Sequence, residues 1–195
     1  VYYSFNPFNE GSMKATADRR QAILDAAQAQ FFRLGYRGTS MEAIARTAGI
    51  AKPTLYAYFP DKAAVFLSLV ERLVAEWSAL FGAALGGEGD LVGRVGAALT
   101  AKHKAGMRLL EGSPHAAELY GEHDRLAAPQ FRALEAGLAG RLEHELAAAG
   151  VARARFLAQL LLAASAGIAH RAQSPAELGP ALRLVAERLI RPELP

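Results

Sequence analysis

The sequence predicts an all-α chain, with an N-terminal three-helix bundle that contains a helix-turn-helix and a larger C-terminal helical bundle. Three observations predict it. Apolar residues recur at helical spacing through most of the 195 residues, and no run alternates with period two over a useful length. Residues 41–60, MEAIARTAGIAKPTLYAYFP, supply the small residue, the glycine and the apolar anchors that two short helices need to cross at a tight turn. Glycine- and proline-bearing breaks at 86–90, 112–114, 128–129, 150 and 174–175 divide the remainder into segments of helix length.

Residues 1–13, VYYSFNPFNEGSM, lack the basic start and apolar run of a signal peptide. Gly11-Ser12-Met13 reads as a cloning junction, so this stretch is expected to be an expression-tag remnant. The first helix is expected from about Asp18 to Leu34, with Ile23, Leu24, Ala27, Phe31 and Leu34 on one buried stripe. Gly35 ends it in the left-handed conformation that glycine tolerates. Thr39-Ser40-Met41-Glu42 fits a capping box for a second helix over 41–48, with Thr39 bonding an amide of the first turn and Glu42 reaching back.

Ala45 is small enough for a third helix, 52–58, to cross there, and Gly49 accepts the positive φ of the turn between them. Ile44, Ala48, Ile50 and Leu55 then face the centre of the unit, while Arg46, Lys52, Thr54 and Tyr58 point outward. Pro53 stands at the start of the third helix, where its missing N–H costs little. Asp61 caps a long fourth helix from Lys62 to Leu85, with Val65, Phe66, Leu69, Leu73, Trp77, Leu80 and Phe81 inward. Further helices are expected over about 91–108, 115–122, 126–149, 152–172 and 175–190. The domain division expected from this pass is 14–61 and 62–195.

The net charge of +3 is unevenly placed: residues 14–62 hold eight Lys or Arg against four Asp or Glu, whereas 63–195 hold fourteen of each. That distribution suits a module that neutralises phosphates joined to a neutral body. The absence of cysteine excludes disulfides and thiolate metal sites and points to a reducing, cytoplasmic compartment. Apolar stretches such as 156–168 are shorter than the roughly 20 residues a bilayer span requires. Five histidines show neither an i, i+4 pair nor a His-Glu-x-x-His pattern, and the glycines near 86 lack the strand and lysine of a phosphate-binding loop. No enzyme, metal site or cofactor is therefore expected.

The stretch from Gln21 to Leu67 resembles the DNA-binding domain of the tetracycline-repressor (TetR) family of bacterial transcription regulators. The resemblance lies in AILDAAQAQFFRLGYRGTSMEAIARTAG at 22–49 and IAKPTLYAYFPDKAAVFLSLV at 50–70. It includes Gly35-Tyr36, Thr39, Ile44-Ala45, Ala48-Gly49, Thr54-Leu55-Tyr56, Phe59 and Lys62. One departure is Ala51, where such proteins often carry a serine that caps the recognition helix.

The resemblance implies a ligand-responsive repressor that leaves its operator when a small molecule binds. Lys52, Thr54 and Tyr58 are expected at or near base edges, and Thr39, Tyr56 and Lys62 at phosphates, with Ser40 and Pro53 completing the surface. A lysine in the first turn of a helix opposes the helix dipole, which suggests an external anion for Lys62. A recognition helix of two turns reads few base pairs, so a homodimer on a near-palindromic double-stranded operator is expected, its half-sites about 34 Å apart or at an offset set by the dimer geometry.

The resemblance also implies that the last two helices pair with those of a second copy. Leu157, Leu160, Leu161, Ala164 and Ile168 on one and Leu178, Leu182, Val185 and Leu189 on the other form the apolar faces, and Ala163, Ala164 and Gly167 permit close approach. An apolar or amphipathic effector is expected among Trp77, Phe81, His103, Met107, Tyr120, Phe131 and His170. The alternative is an architectural DNA-binding protein with no effector.

Overall fold

The structure, a computed structural model, describes the backbone of residues 7–195 and the side chains of 15–195 apart from Leu110, Tyr120, His123 and Asp124. The helices are α1 (Pro7–Gly38), α2 (Met41–Thr47), α3 (Lys52–Tyr58), α4 (Lys62–Leu85), α5 (Leu91–Leu110), α6 (Ala116–Leu126), α7 (Ala128–Ala148), α8 (Ala154–Arg171) and α9 (Pro175–Ile190), followed by a 3-10 turn at Arg191–Glu193. No strand occurs among the described residues. The all-α expectation and the order of its elements hold. The first helix, however, begins well before Asp18; the stretch from Lys14 to Gln21 contains neither glycine nor proline to stop it. Residues 1–6 of the expected tag remnant lie outside the described residues.

The chain forms two compact units: residues up to Val70 with Ser113–Ala127, and Glu71–Gly112 with Ala128–Pro195. Helix α6 thus packs with the first unit, whereas sequence continuity had grouped it with the later helices. The core of the first unit is Ile23, Leu24, Ala27 and Phe31 of α1 against Ile44 and Ala45 of α2, Leu55 of α3, Phe59, and Val65, Phe66 and Leu69 of α4. Phe31, Tyr36 and Phe66 form an aromatic cluster with ring centroids 5.3–5.7 Å apart. Polar pins reinforce it: the buried Gln30 amide donates to the Thr47 hydroxyl at 2.8 Å, and Arg20 donates to Ser68 at 2.8 Å while lying over the Phe59 ring.

In the second unit, Leu134, Leu138, Leu142 and Leu146 recur every fourth residue along α7 and meet Phe81 and Leu85 of α4, Val95 and Leu99 of α5, Leu157 and Leu161 of α8, and Leu178 and Leu182 of α9. Helices α5 and α9 approach closely because Gly96 lacks a side chain: a Cβ there would stand 3.2 Å from the Arg183 Cα. Arg94 donates to the Leu85 carbonyl at 2.7 Å and to Glu145 at 2.8 Å, tying the end of α4 to α7.

Candidate functional site

The helix-turn-helix is built as its residues dictate. Ile50 N–H donates to the Ala45 carbonyl at 3.0 Å across the turn, and Gly49 has φ +66°. Leu55 is the one residue of α3 that is buried, and Phe59, which ends the helix, is buried four positions later. That pair anchors α3 and leaves Lys52, Pro53 and Tyr56 exposed and Thr54 and Tyr58 half-buried. The exposed tyrosine matters, because packing on α1 would have buried it; Tyr56 instead is 42% exposed beneath the Lys52 ammonium, 5.8 Å from its ring centroid. Lys52 also forms an ion pair with Glu42 of α2.

The N-terminus of α2 differs from the expected capping box. Ser40 is the cap, accepting from the Ala43 amide at 3.2 Å, and its side chain remains exposed. Thr39 is buried, and its hydroxyl donates to the Gly35 carbonyl at 2.7 Å, so it closes the end of α1 and presents no hydroxyl at the surface. Glu42 turns to Lys52 instead of reaching back toward Thr39. Two other caps are as expected: Asp61 accepts from the Ala64 amide at 2.8 Å, and Ala51 makes no side-chain bond at the start of α3.

Lys62 requires a larger correction. Its ammonium donates to the carbonyls of Tyr36 at 2.7 Å and Thr39 at 2.8 Å and sits 4.4 Å from the Tyr36 ring centroid. In place of the anion inferred from its position in the first turn of α4, the Tyr36 carbonyl in the last turn of α1 and the Thr39 carbonyl just beyond it supply partial negative charge. Burial pulls its pKa below the usual lysine value, partly opposed by Glu118 and Glu122.

These two glutamates lie on α6, and sequence reasoning did not find them. Glu118 accepts from the Arg37 amide at 2.7 Å, Glu122 pairs with Arg125 at 2.7 Å, and Ser113 donates to the Phe32 carbonyl at 2.9 Å. Gly35 permits this docking. Its φ of 73° is positive as expected, but its ψ of 172° places it in a region essentially reserved for glycine, outside the left-handed helix.

Of the effector candidates, the structure brings four side chains into one region of the second unit. Trp77 and Phe131 have ring centroids 5.9 Å apart, Trp77 lies over the bare backbone of Gly106, and Phe81 and Met107 join the same core. His103 lies on α5, one turn from Met107, with Nε2 3.0 Å from the Ser165 hydroxyl. That hydroxyl donates to the Leu162 carbonyl at 2.8 Å, so it accepts from His103, whose proton therefore sits on Nε2. Burial, and secondarily Lys102, lowers the imidazole pKa to about 4. His170 is exposed and separate from this group, and the Tyr120 side chain lies outside the described residues. Open grooves occur elsewhere on the unit, one of them about 480 Å³ and lined by Gly82, Gly86, Gly137, Gly140, Arg141 and His144.

On the last two helices, Leu157, Leu161, Leu178 and Leu182 belong to the core of their own unit, which corrects their assignment to a face for a second copy. Of the expected α8 face, Leu160 stays outside at 38% exposure with exposed Ala163 and Gly167, and Phe156 at 58% and Leu184 on α9 extend it. No helix among the described residues is long and apolar enough to cross a membrane.

Comparison with known proteins converges on the helix-turn-helix. Residues 23–69 match the model of the bacterial regulatory proteins of the tetR family. The HTH-type transcriptional regulator RutR of Escherichia coli (strain K12) is 36% identical over 66 residues, 34% of this chain. The aligned stretch spans only 31% of that relative's length. The fold extends the likeness. A transcriptional regulator from Rhodococcus sp. Rha1 superposes with a TM-score of 0.67 at 20% identity, covering 89% of this chain and 96% of its own. The multidrug binding protein EbrR, solved with imidazole, gives 0.61 at 25% identity, covering 88% and 94%. Residues 23–69 thus carry the DNA-binding module of the tetR family of bacterial regulatory proteins, and the helical architecture that continues from it is similar to that of solved regulators.

Proposed function

We propose that the chain is a DNA-binding transcriptional repressor that acts as a homodimer on a near-palindromic operator and is released by a small apolar or amphipathic effector. The observation that carries the reading is α3: a seven-residue helix fixed by Leu55 and displaying Lys52, Pro53 and Tyr56 to solvent, with Thr54 and Tyr58 beside them. A core helix would hide such residues; a reading helix must show them. Lys52, Thr54 and Tyr58 supply base-edge contacts, and Ser40 and Tyr56 supply contacts to the phosphates. The functional division follows residues 14–61 for DNA and 62–195 for effector binding and dimerisation.

A second copy docks on Phe156, Leu160, Ala163 and Gly167 of α8 with Leu184 of α9, a stripe that bears both large apolar groups and the small residues that let helices approach. The effector takes the place beside Trp77, Met107 and Phe131, with Phe81 behind them and His103 as the polar contact. That one relative is named a multidrug binding protein and was solved with imidazole supports a ligand role for this half. Release requires the effector to bind one conformation of the dimer better than another, since only differential affinity shifts the equilibrium.

Selection of duplexes from a random-sequence pool, followed by footprinting, tests the reading. Two protected half-sites related by a dyad and about 34 Å apart are expected. Failure to bind any duplex at low ionic strength would overturn it. A compound screen for release from the selected duplex tests the effector arm, and a protein that binds the duplex but responds to no compound would favour the architectural alternative.

A further inference from the structure

Lys52 is the one cation on α3, and in the free protein it is already engaged. Its ammonium pairs with Glu42 of α2 and lies over the Tyr56 ring, and the lysine and glutamate side chains are both about half exposed. The hydrogen bond from Lys52 holds the Glu42 carboxyl below the usual carboxylate range, so the pair is ionised at neutral pH. Exposed ion pairs of this kind contribute little to folding. The position of the pair is what calls for an account, because it sets a carboxylate beside the residues that would face a polyanion.

We propose that Glu42 is a specificity-determining residue that acts through Lys52. The proposal rests on the DNA-binding reading above. A phosphate that takes Lys52 merely exchanges one anion for another and strands Glu42 beside the DNA backbone, so sequence-independent contacts gain little. A base edge behaves differently. The ammonium has three N–H donors, and it can keep Glu42 on one while donating another to the N7 or O6 acceptors of a guanine. Glu42 thus positions Lys52 toward the groove floor and weakens its use as a plain phosphate contact.

The test compares wild type, Glu42→Gln, Lys52→Met and the double variant on two probes: a duplex selected by the wild type and a random-sequence duplex of equal length, across a salt series. Glu42→Gln is expected to raise affinity for the random duplex about tenfold and to steepen its log–log salt slope by about 0.9, the release of one more phosphate counterion. The ratio of selected to random affinity should fall about tenfold, with the thermal melt unchanged. In the Lys52→Met background, Glu42→Gln should leave that ratio where it is.

An unchanged ratio in Glu42→Gln overturns the proposal, since simple charge repulsion acts on both probes alike, and so does an equal fall in both backgrounds, which would show that Glu42 acts independently of Lys52. If the wild type binds neither probe at low ionic strength, the DNA-binding reading falls and takes this assignment with it. Binding by the wild type with an unchanged ratio removes Glu42 alone.

Discussion

The Lys62 ammonium at the start of α4 lies 2.7 Å from the Tyr36 carbonyl at the end of α1, and the same nitrogen reaches the Thr39 carbonyl at 2.8 Å. A cation that opposes the dipole of its own helix is stabilised by the negative end of another. Lys62→Met is therefore expected to destabilise the first unit by about 2 kcal/mol, the range for hydrogen bonds to a charged donor. Chemical denaturation measures it. The salt slope of DNA binding should stay unchanged, and a shallower slope at unchanged stability would return Lys62 to the phosphates.

Gly35→Ala should be more damaging than Gly49→Ala, although both glycines have positive φ. A Cβ at Gly35 would stand 2.1 Å from the Glu118 carboxylate, whereas nothing lies within 4 Å of one at Gly49. Strain alone costs on the order of 1–3 kcal/mol at either site. Only Gly35→Ala should also detach α6, read as faster hydrogen exchange at the Arg37 amide, which Glu118 accepts at 2.7 Å. Equal exchange in the two variants would contradict the account.

Phe156→Glu with Leu160→Glu should give a folded monomer, because both side chains are outside the core of their own unit. Leu161→Glu, at 0% exposure, should fail to fold. Sedimentation separates the cases; a persistent dimer in the first variant would move the interface elsewhere.

The His103 imidazole, lowered to about 4 by burial and by Lys102, makes stability depend on acid. A folded-state pKa below the unfolded value of about 6.5 gives stability that is complete above 6.5 and lost as pH falls through 4. The loss amounts to about 3 kcal/mol for this single group. His103→Gln should flatten the stability profile between pH 6.5 and 4, and an unaltered slope would show that other groups set it.

The helix-turn-helix was legible because its determinants are local. Ala45, Gly49, Leu55 and Asp61 each act within a few positions, so spacing alone places them. Lys62 was misplaced for the opposite reason: its partners lie 26 and 23 residues away, and helix-dipole reasoning showed only that an anion was needed. Glu118 meets Arg37 across 81 residues, beyond any pattern. On α8 the expected face joined Leu157 and Leu161, which the core buries, to Leu160, which stays outside with Phe156. Periodicity cannot choose between them; packing against α7 and α9 does. His103 and His170 differ likewise, because Ser165 meets only the first.

Ala51 leaves the front of the α3 helix without a side-chain cap, and one leucine within the helix carries its burial. Such a segment opens locally at little cost, and its backbone protons are expected to exchange with deuterated solvent well ahead of those in α1. On the DNA-binding reading proposed above, a duplex is expected to order α3 further. Ordering it on contact trades entropy for fit, so recognition should carry an enthalpic, strongly temperature-dependent signature in calorimetry.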